Sequence, residues 1–128
     1  MTLTPNRWYA WEMLPGYAGI GRYYSPIQVH RVEPLRTGRN ELRLAFYNAG
    51  YAEGVRGFEK TLRILHRAPE YILARILYDP QHDPNRCAII TPLTRGWLNL
   101  HFAAYMENHP ELQSMTEEEL EEALTKLL

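Results

Sequence analysis

Through the first third of the chain, polar and apolar positions alternate with a period of two. Between positions 7 and 13, Tyr9, Trp11 and Met13 fall on one side and Trp8, Ala10 and Glu12 on the other, which predicts a strand with aromatic residues on both faces. A second strand is predicted over 27–35. In a third, Leu42, Leu44 and Phe46 alternate against Arg43, Ala45 and Tyr47. Between these two, Arg36, Thr37, Gly38, Arg39 and Asn40 have the glycine and polar content of a hairpin turn.

After position 48 the spacing changes. Tyr51, Val55, Phe58, Leu62 and Leu65 recur at intervals of four, three, four and three, which predicts a helix over about 49–67 with Asn48 as its N-cap and Pro69 beyond its end. Gly50, Gly54 and Gly57 would each cost about 1 kcal/mol in its interior relative to alanine. An apolar strand over 71–78, a loop over 79–85 and a strand over 87–93 follow. Thr94 is placed to cap a helix over 95–108, ended by Pro110. The tail carries a complete helix start: Thr116 as N-cap, Glu119 three residues on, and Met115 and Leu120 as a hydrophobic staple.

The expected order is therefore β-β-β-α-β-β-α-α. Short connections between most strands predict an α+β domain, an antiparallel sheet of about five strands with helices packed on one face. Charge divides the chain near Pro110. Residues 1–110 carry 13 Lys+Arg against 9 Asp+Glu, and residues 111–128 carry 1 against 6. The reading is a single body over 1–109 and a short amphipathic helical arm over 110–128, too short to be stable alone and so docked on its own body or on a second subunit. Together with the two-sided apolarity of the 95–108 helix, this leads to the expectation of a homodimer.

At 128 residues, with 45% hydrophobic and 23% charged residues, the composition is that of one globular domain. Cys87 is the only cysteine, so an intramolecular disulfide and any multi-cysteine zinc site are excluded. A cytoplasmic setting with no membrane association is expected, since no apolar run approaches spanning length.

Six of the fifteen aromatic residues lie between positions 8 and 24, where Trp8, Tyr9, Trp11, Tyr17, Tyr23 and Tyr24 mingle with Gly16, Gly19 and Gly21. Planar side chains give contact area with few torsions to freeze, and glycines allow close approach, so this segment is the candidate ligand- or partner-binding surface. Its proposed members are Trp8, Trp11, Glu12, Tyr17, Arg22, Tyr23 and Tyr24. Alternation turns Trp11 inward and Trp8 outward, toward the loop.

No cofactor or metal is expected. The pair Gly19 and Gly21 lacks the third glycine of a dinucleotide-binding turn, since position 24 is Tyr24. His30, His66, His82, His101 and His109 lack ligand spacing, although His82 and Asp83 are adjacent. Glu12 beside Trp8, with His30 on the next strand, is the best acid–base candidate. Arg56, Lys60, Arg63 and Arg67 would form a basic stripe on the first helix, suited to a phosphate backbone or an acidic helix. Nucleic acid is not the expected partner, because the pI of about 6.5 is well below that of a dedicated nucleic-acid module. The leading expectation is a non-catalytic binding or interaction domain whose aromatic–glycine segment forms either a cleft for a small apolar or aromatic ligand or a partner surface. The alternatives are a small enzyme using Glu12 and a weak nucleic-acid-associated protein.

Overall fold

A computed structural model describes residues 1–14, 23–51, 54–77 and 86–126, with only the backbone described at 23, 49–51 and 54–56. Two compact units are present, Met1–Pro92 and Leu93–Leu128, dividing well before the change of charge at Pro110.

The first unit is a closed antiparallel barrel of six strands. In chain order they are β1 (Trp8–Met13), β2 (Tyr23–Pro34), β3 (Glu41–Tyr51), β4 (Gly54–Arg67), β5 (Ile72–Leu77) and β6 (Cys87–Pro92). Each strand pairs with its neighbours in sequence, and β1 pairs with β6 to close the ring, with Trp11 opposite Ile90. This overturns the expected α+β arrangement, an open five-stranded sheet with helices on one face.

The predicted helix over 49–67 is strand β4. Phe58, Lys60, Leu62 and Ile64 alternate at period two opposite Phe46, Leu44, Leu42 and, beyond the β3 pairs, Ala74 of β5. Its four-three spacing selects residues from both faces of this strand: Phe58 packs against the core and Leu62 is buried in it, whereas Leu65 is exposed at a bulge. The glycines, costly in a helix interior, weigh against the helical alternative.

Alternate residues of every strand turn inward. Trp11, Ile27, Val29, Leu44, Phe46, Leu62, Ile72, Ile76 and Ile90 are among those that fill the interior, with the small pair Ala74 and Ala88 set opposite each other. Trp11 stacks on Phe46 at 5.2 Å between ring centroids, and Phe46 on Phe58 at 5.8 Å. A narrow barrel is filled by side chains rather than left as a channel, and here large rings and small alanines are combined in one interior.

One end of the barrel is sealed by the chain's first residues. Leu3 is buried in the core, the Met1 amino group donates to the Ala68 carbonyl at 2.5 Å, and Arg67 Nη1 donates to the Met1 carbonyl at 2.6 Å. The Tyr9 hydroxyl accepts from the Thr4 amide at 2.8 Å. Asn6, at φ 69°, turns the segment into β1. The β2–β3 hairpin also closes at this end. Gly38 and Asn40 take positive φ there, and the Leu35 amide bonds to the Glu41 carbonyl at 2.9 Å.

The second unit comprises α1 (Arg95–His101), α2 (Ala103–Asn108), a 3-10 turn (Pro110–Ser114) and α3 (Glu117–Thr125). Thr94 caps α1 by accepting from the Trp97 amide. The helix expected over 95–108 breaks at Phe102, whose φ of −132° and ψ of 44° leave the helical region. Arg95 links α1 to the turn, donating to the carbonyls of Leu112 and Met115. The capping box at Thr116 and Glu119 forms reciprocally. Among the described residues no helix is long and apolar enough to cross a membrane.

Candidate functional site

Polarity is distributed unevenly along the barrel. Around the sealed end the interior is mainly apolar, with Leu3, Leu42, Ile64 and Ile72 beside the ring of Tyr9, whose hydroxyl accepts from the Thr4 amide. The opposite end, where β1 finishes at Met13, β3 carries Asn48 and Arg86 precedes β6, has three buried polar residues on the inward face among the described residues. Ser25 is 0% exposed, Asn48 3% and Arg86 2%.

Alternation explains why all three point inward. Ser25 is opposite Trp11 and shares a face with Ile27 and Val29. Asn48 continues Leu42, Leu44 and Phe46, and is opposite Ile27. Arg86 shares parity with Ala88 and Ile90, and its carbonyl accepts from the Ile76 amide at 3.1 Å. Inside, the Ser25 hydroxyl donates to Asn48 Oδ1 and also lies 2.9 Å from the Pro26 carbonyl. The Trp11, Phe46 and Phe58 stack borders this polar set. Lys60, half-buried, lies on the same inward face opposite Leu44, one residue outside the last β4–β5 pair of Thr61 and Leu77.

The residues singled out from sequence are distributed more widely. Trp11 lies in the core and Trp8 on the opposite face of β1, and each is 2% exposed, so Trp8 is not an available outer ring. Glu12 shares the outer face with Trp8, opposite Tyr24 and Ile89. His30 sits six positions beyond Tyr24 along β2, roughly 20 Å from Glu12 at strand rise, and stacks on Tyr47 at 4.8 Å. The structure therefore does not bring Glu12 and His30 together. Tyr17, Arg22, Gly16, Gly19, Gly21, His82 and Asp83 lie outside the described residues, as does the side chain of Tyr23.

The basic stripe does not exist as one surface, because it needed a helix. On β4, Lys60 faces inward, and Arg63 faces outward to bond Glu41 at 3.0 Å. Arg67 holds Met1 at the sealed end, and the side chain of Arg56 lies outside the described residues. Elsewhere on the outer surface, Glu59 bridges Arg31 at 2.9 Å and Arg43 at 3.2 Å, exposed pairs of small energetic weight.

Comparison with protein-family models, curated protein sequences and solved structures finds no match to this chain. Function must therefore be read from the chemistry of the sites themselves. Among the described residues no three potential metal ligands of the His, Cys, Asp or Glu type come together. The helical unit has a shallow groove of about 370 Å³ lined by Asn99, Ala103, Met106, Glu107, Pro110 and Gln113. Its two amides satisfy each other across the groove, Gln113 Nε2 donating to Asn99 Oδ1 at 2.6 Å and Asn99 Nδ2 to Gln113 Oε1 at 3.3 Å. That pairing leaves little for a ligand to gain from them. The Asn48 end has the richer chemistry: a hydroxyl, a carboxamide and a guanidinium held next to stacked rings.

Ser25, Asn48 and Arg86 were missed because each stands where the sequence suggests a boundary. Ser25 precedes a proline, Asn48 has the chemistry of a helix cap, and Arg86 adjoins a loop rich in Asp, Pro and Asn. Extending the alternation of each neighbouring strand by one step would have placed all three inside.

Proposed function

We propose that this chain is a non-catalytic binding domain that receives a small ligand at the Asn48 end of its barrel. The observation that carries this reading is the polar asymmetry of the interior. Burying a hydroxyl, an amide and a charged group costs several kcal/mol unless each is satisfied, and a barrel selected only to fold could fill its interior with apolar side chains, as the sealed end does apart from the Tyr9 hydroxyl. Polar groups converging beside aromatic rings are the usual lining of a ligand site. The aromatic contribution to this site comes from Phe58, Phe46 and Trp11, and the sequence's aromatic–glycine segment contributes Trp11 from its first strand.

A thermal-shift screen of the protein against a panel of metabolites tests the reading, because a ligand bound only by the native state raises the unfolding midpoint. A compound that stabilises the wild type should stabilise Phe58→Ala and Asn48→Leu markedly less. If every stabilising compound acts equally on the wild type and on both variants, the site lies elsewhere.

A further inference from the structure

The inward face at the Asn48 end is electrically one-sided. Among the described residues, Glu12, Glu33, Glu41 and Glu59 all lie on the outward face of their strands, and none of the six strands presents an Asp or Glu to the interior. Lys60 and Arg86 do face inward. Arg86 is 2% exposed, and a guanidinium does not give up its proton, so it carries a full charge in a low-dielectric setting.

The two cations share one arc of the wall. Arg86 bonds through its carbonyl to Ile76, Ile76 is opposite Leu62, and Lys60 is two residues from Leu62. One strand width on either side of β5 and one two-residue step separate their backbones by roughly 12 Å, a span that two long side chains can close around a single small group. Ser25 and Asn48 occupy the β2–β3 arc, with the stacked rings of Trp11, Phe46 and Phe58 alongside.

Resting on the binding reading above, we propose that the ligand of the Asn48 end is a small organic anion, a carboxylate or phosphate attached to a flat apolar group. Its charged end is held by Arg86 and Lys60. The Ser25 and Asn48 pair supplies neutral hydrogen bonds, and Phe58, the half-buried ring of the stack, meets the apolar part. Arg86 and Lys60 both make interactions within the protein itself, so the anion joins an existing network. What favours it is the position and sign of the charge. A charge-assisted hydrogen bond in such a setting is about twice as strong as a neutral one, and the planar guanidinium matches both carboxylate and phosphate.

Four probes of similar size separate the possibilities: benzoate, phenyl phosphate, benzyl alcohol and benzylamine, titrated into the intact protein and followed by amide chemical shifts. Benzoate or phenyl phosphate should bind about tenfold or more tightly than benzyl alcohol, benzylamine should bind weakest, and the preference should shrink with added salt. Whichever anion binds better assigns the carboxylate or the phosphate. Arg86→Met and Lys60→Met should each abolish most of the preference for the anions over benzyl alcohol. Lys60→Met, at a half-buried position, carries the comparison if Arg86→Met does not fold. Benzyl alcohol binding at the Asn48 end as tightly as both anions would overturn the anion assignment and leave the binding reading standing. No shift there with any of the four at about 10 mM would overturn the assignment too, with the metabolite screen then judging the binding reading separately.

Discussion

The hydroxyl of Ser25 is hydrogen-bonded to the carboxamide of Asn48 inside the barrel, joining β2 to β3 two residues from the Ile27 and Asn48 register pair. Both residues are buried, at 0% and 3% exposure. Removing either residue breaks this bond, although the Ser25 hydroxyl keeps the Pro26 carbonyl within reach, whereas removing the second after the first breaks no further bond between them. Ser25→Ala and Asn48→Leu should therefore each cost about 1–3 kcal/mol, and the double variant clearly less than their sum. Denaturant unfolding of the four proteins checks this, and strict additivity would show that the pair is not coupled.

Trp11 and Trp8 point to opposite faces of β1, yet each is 2% exposed. Sequence alternation turned Trp8 outward, toward the loop, where a truncation would cost little. The structure changes that expectation: Trp8→Ala and Trp11→Ala should both destabilise by about 3–5 kcal/mol, the range for large core truncations. Equilibrium unfolding distinguishes this from a loss confined to Trp11.

Two glycines should respond oppositely to alanine. Gly38 sits at φ +71° with nothing within 4 Å of an added Cβ, so Gly38→Ala carries only backbone strain and should cost about 1–2 kcal/mol. In β4, Gly57 would bring its Cβ to 3.7 Å from the Tyr47 ring, an ordinary contact, and Gly57→Ala should stabilise by about 0.5–1 kcal/mol. Shifts in the unfolding midpoint measure both.

Glu41 supplies a pH dependence. A hydrogen bond with Thr37, followed by the hydrogen bond and charge of Arg63, holds its carboxyl below the ordinary value of 4.5, against the opposing effect of burial. A carboxylate whose folded value is depressed adds stability at pH above its unfolded value, and that contribution is lost as pH falls through the folded value. Stability of the wild type should thus decline below about pH 4.5 more steeply than that of Glu41→Gln. Parallel declines would mean that Glu41 contributes nothing to the acid limb.

Local chemistry was legible in the chain wherever its cause was local. The strand of Trp8 and Met13, the hairpin turn with Gly38 and Asn40, the Thr94 cap and the reciprocal Thr116 and Glu119 box all follow from residues within a few positions of one another. Strand β4 was hidden because a four-three spacing and a period-two alternation coexist in the same fourteen residues. Closure of the barrel was illegible for a different reason. It depends on Tyr9 through Met13 meeting Ala88 through Pro92, and nothing local in either strand names its partner. The same gap concealed the site, since Ser25, Asn48 and Arg86 become a group only when the sheet curls round on itself.

Mapping a bound ligand onto the backbone tests the central claim most directly. Amide spectra of the protein, recorded as a stabilising compound from the metabolite panel is added, should show shifts concentrated at Trp11, Ser25, Phe46, Asn48, Phe58, Lys60, Ile76 and Arg86. Leu3, Leu42 and Ile64 near the sealed end, and the Asn99–Gln113 groove, should stay unmoved. Shifts centred on that groove or on the sealed end, with the Asn48 end silent, would contradict the account.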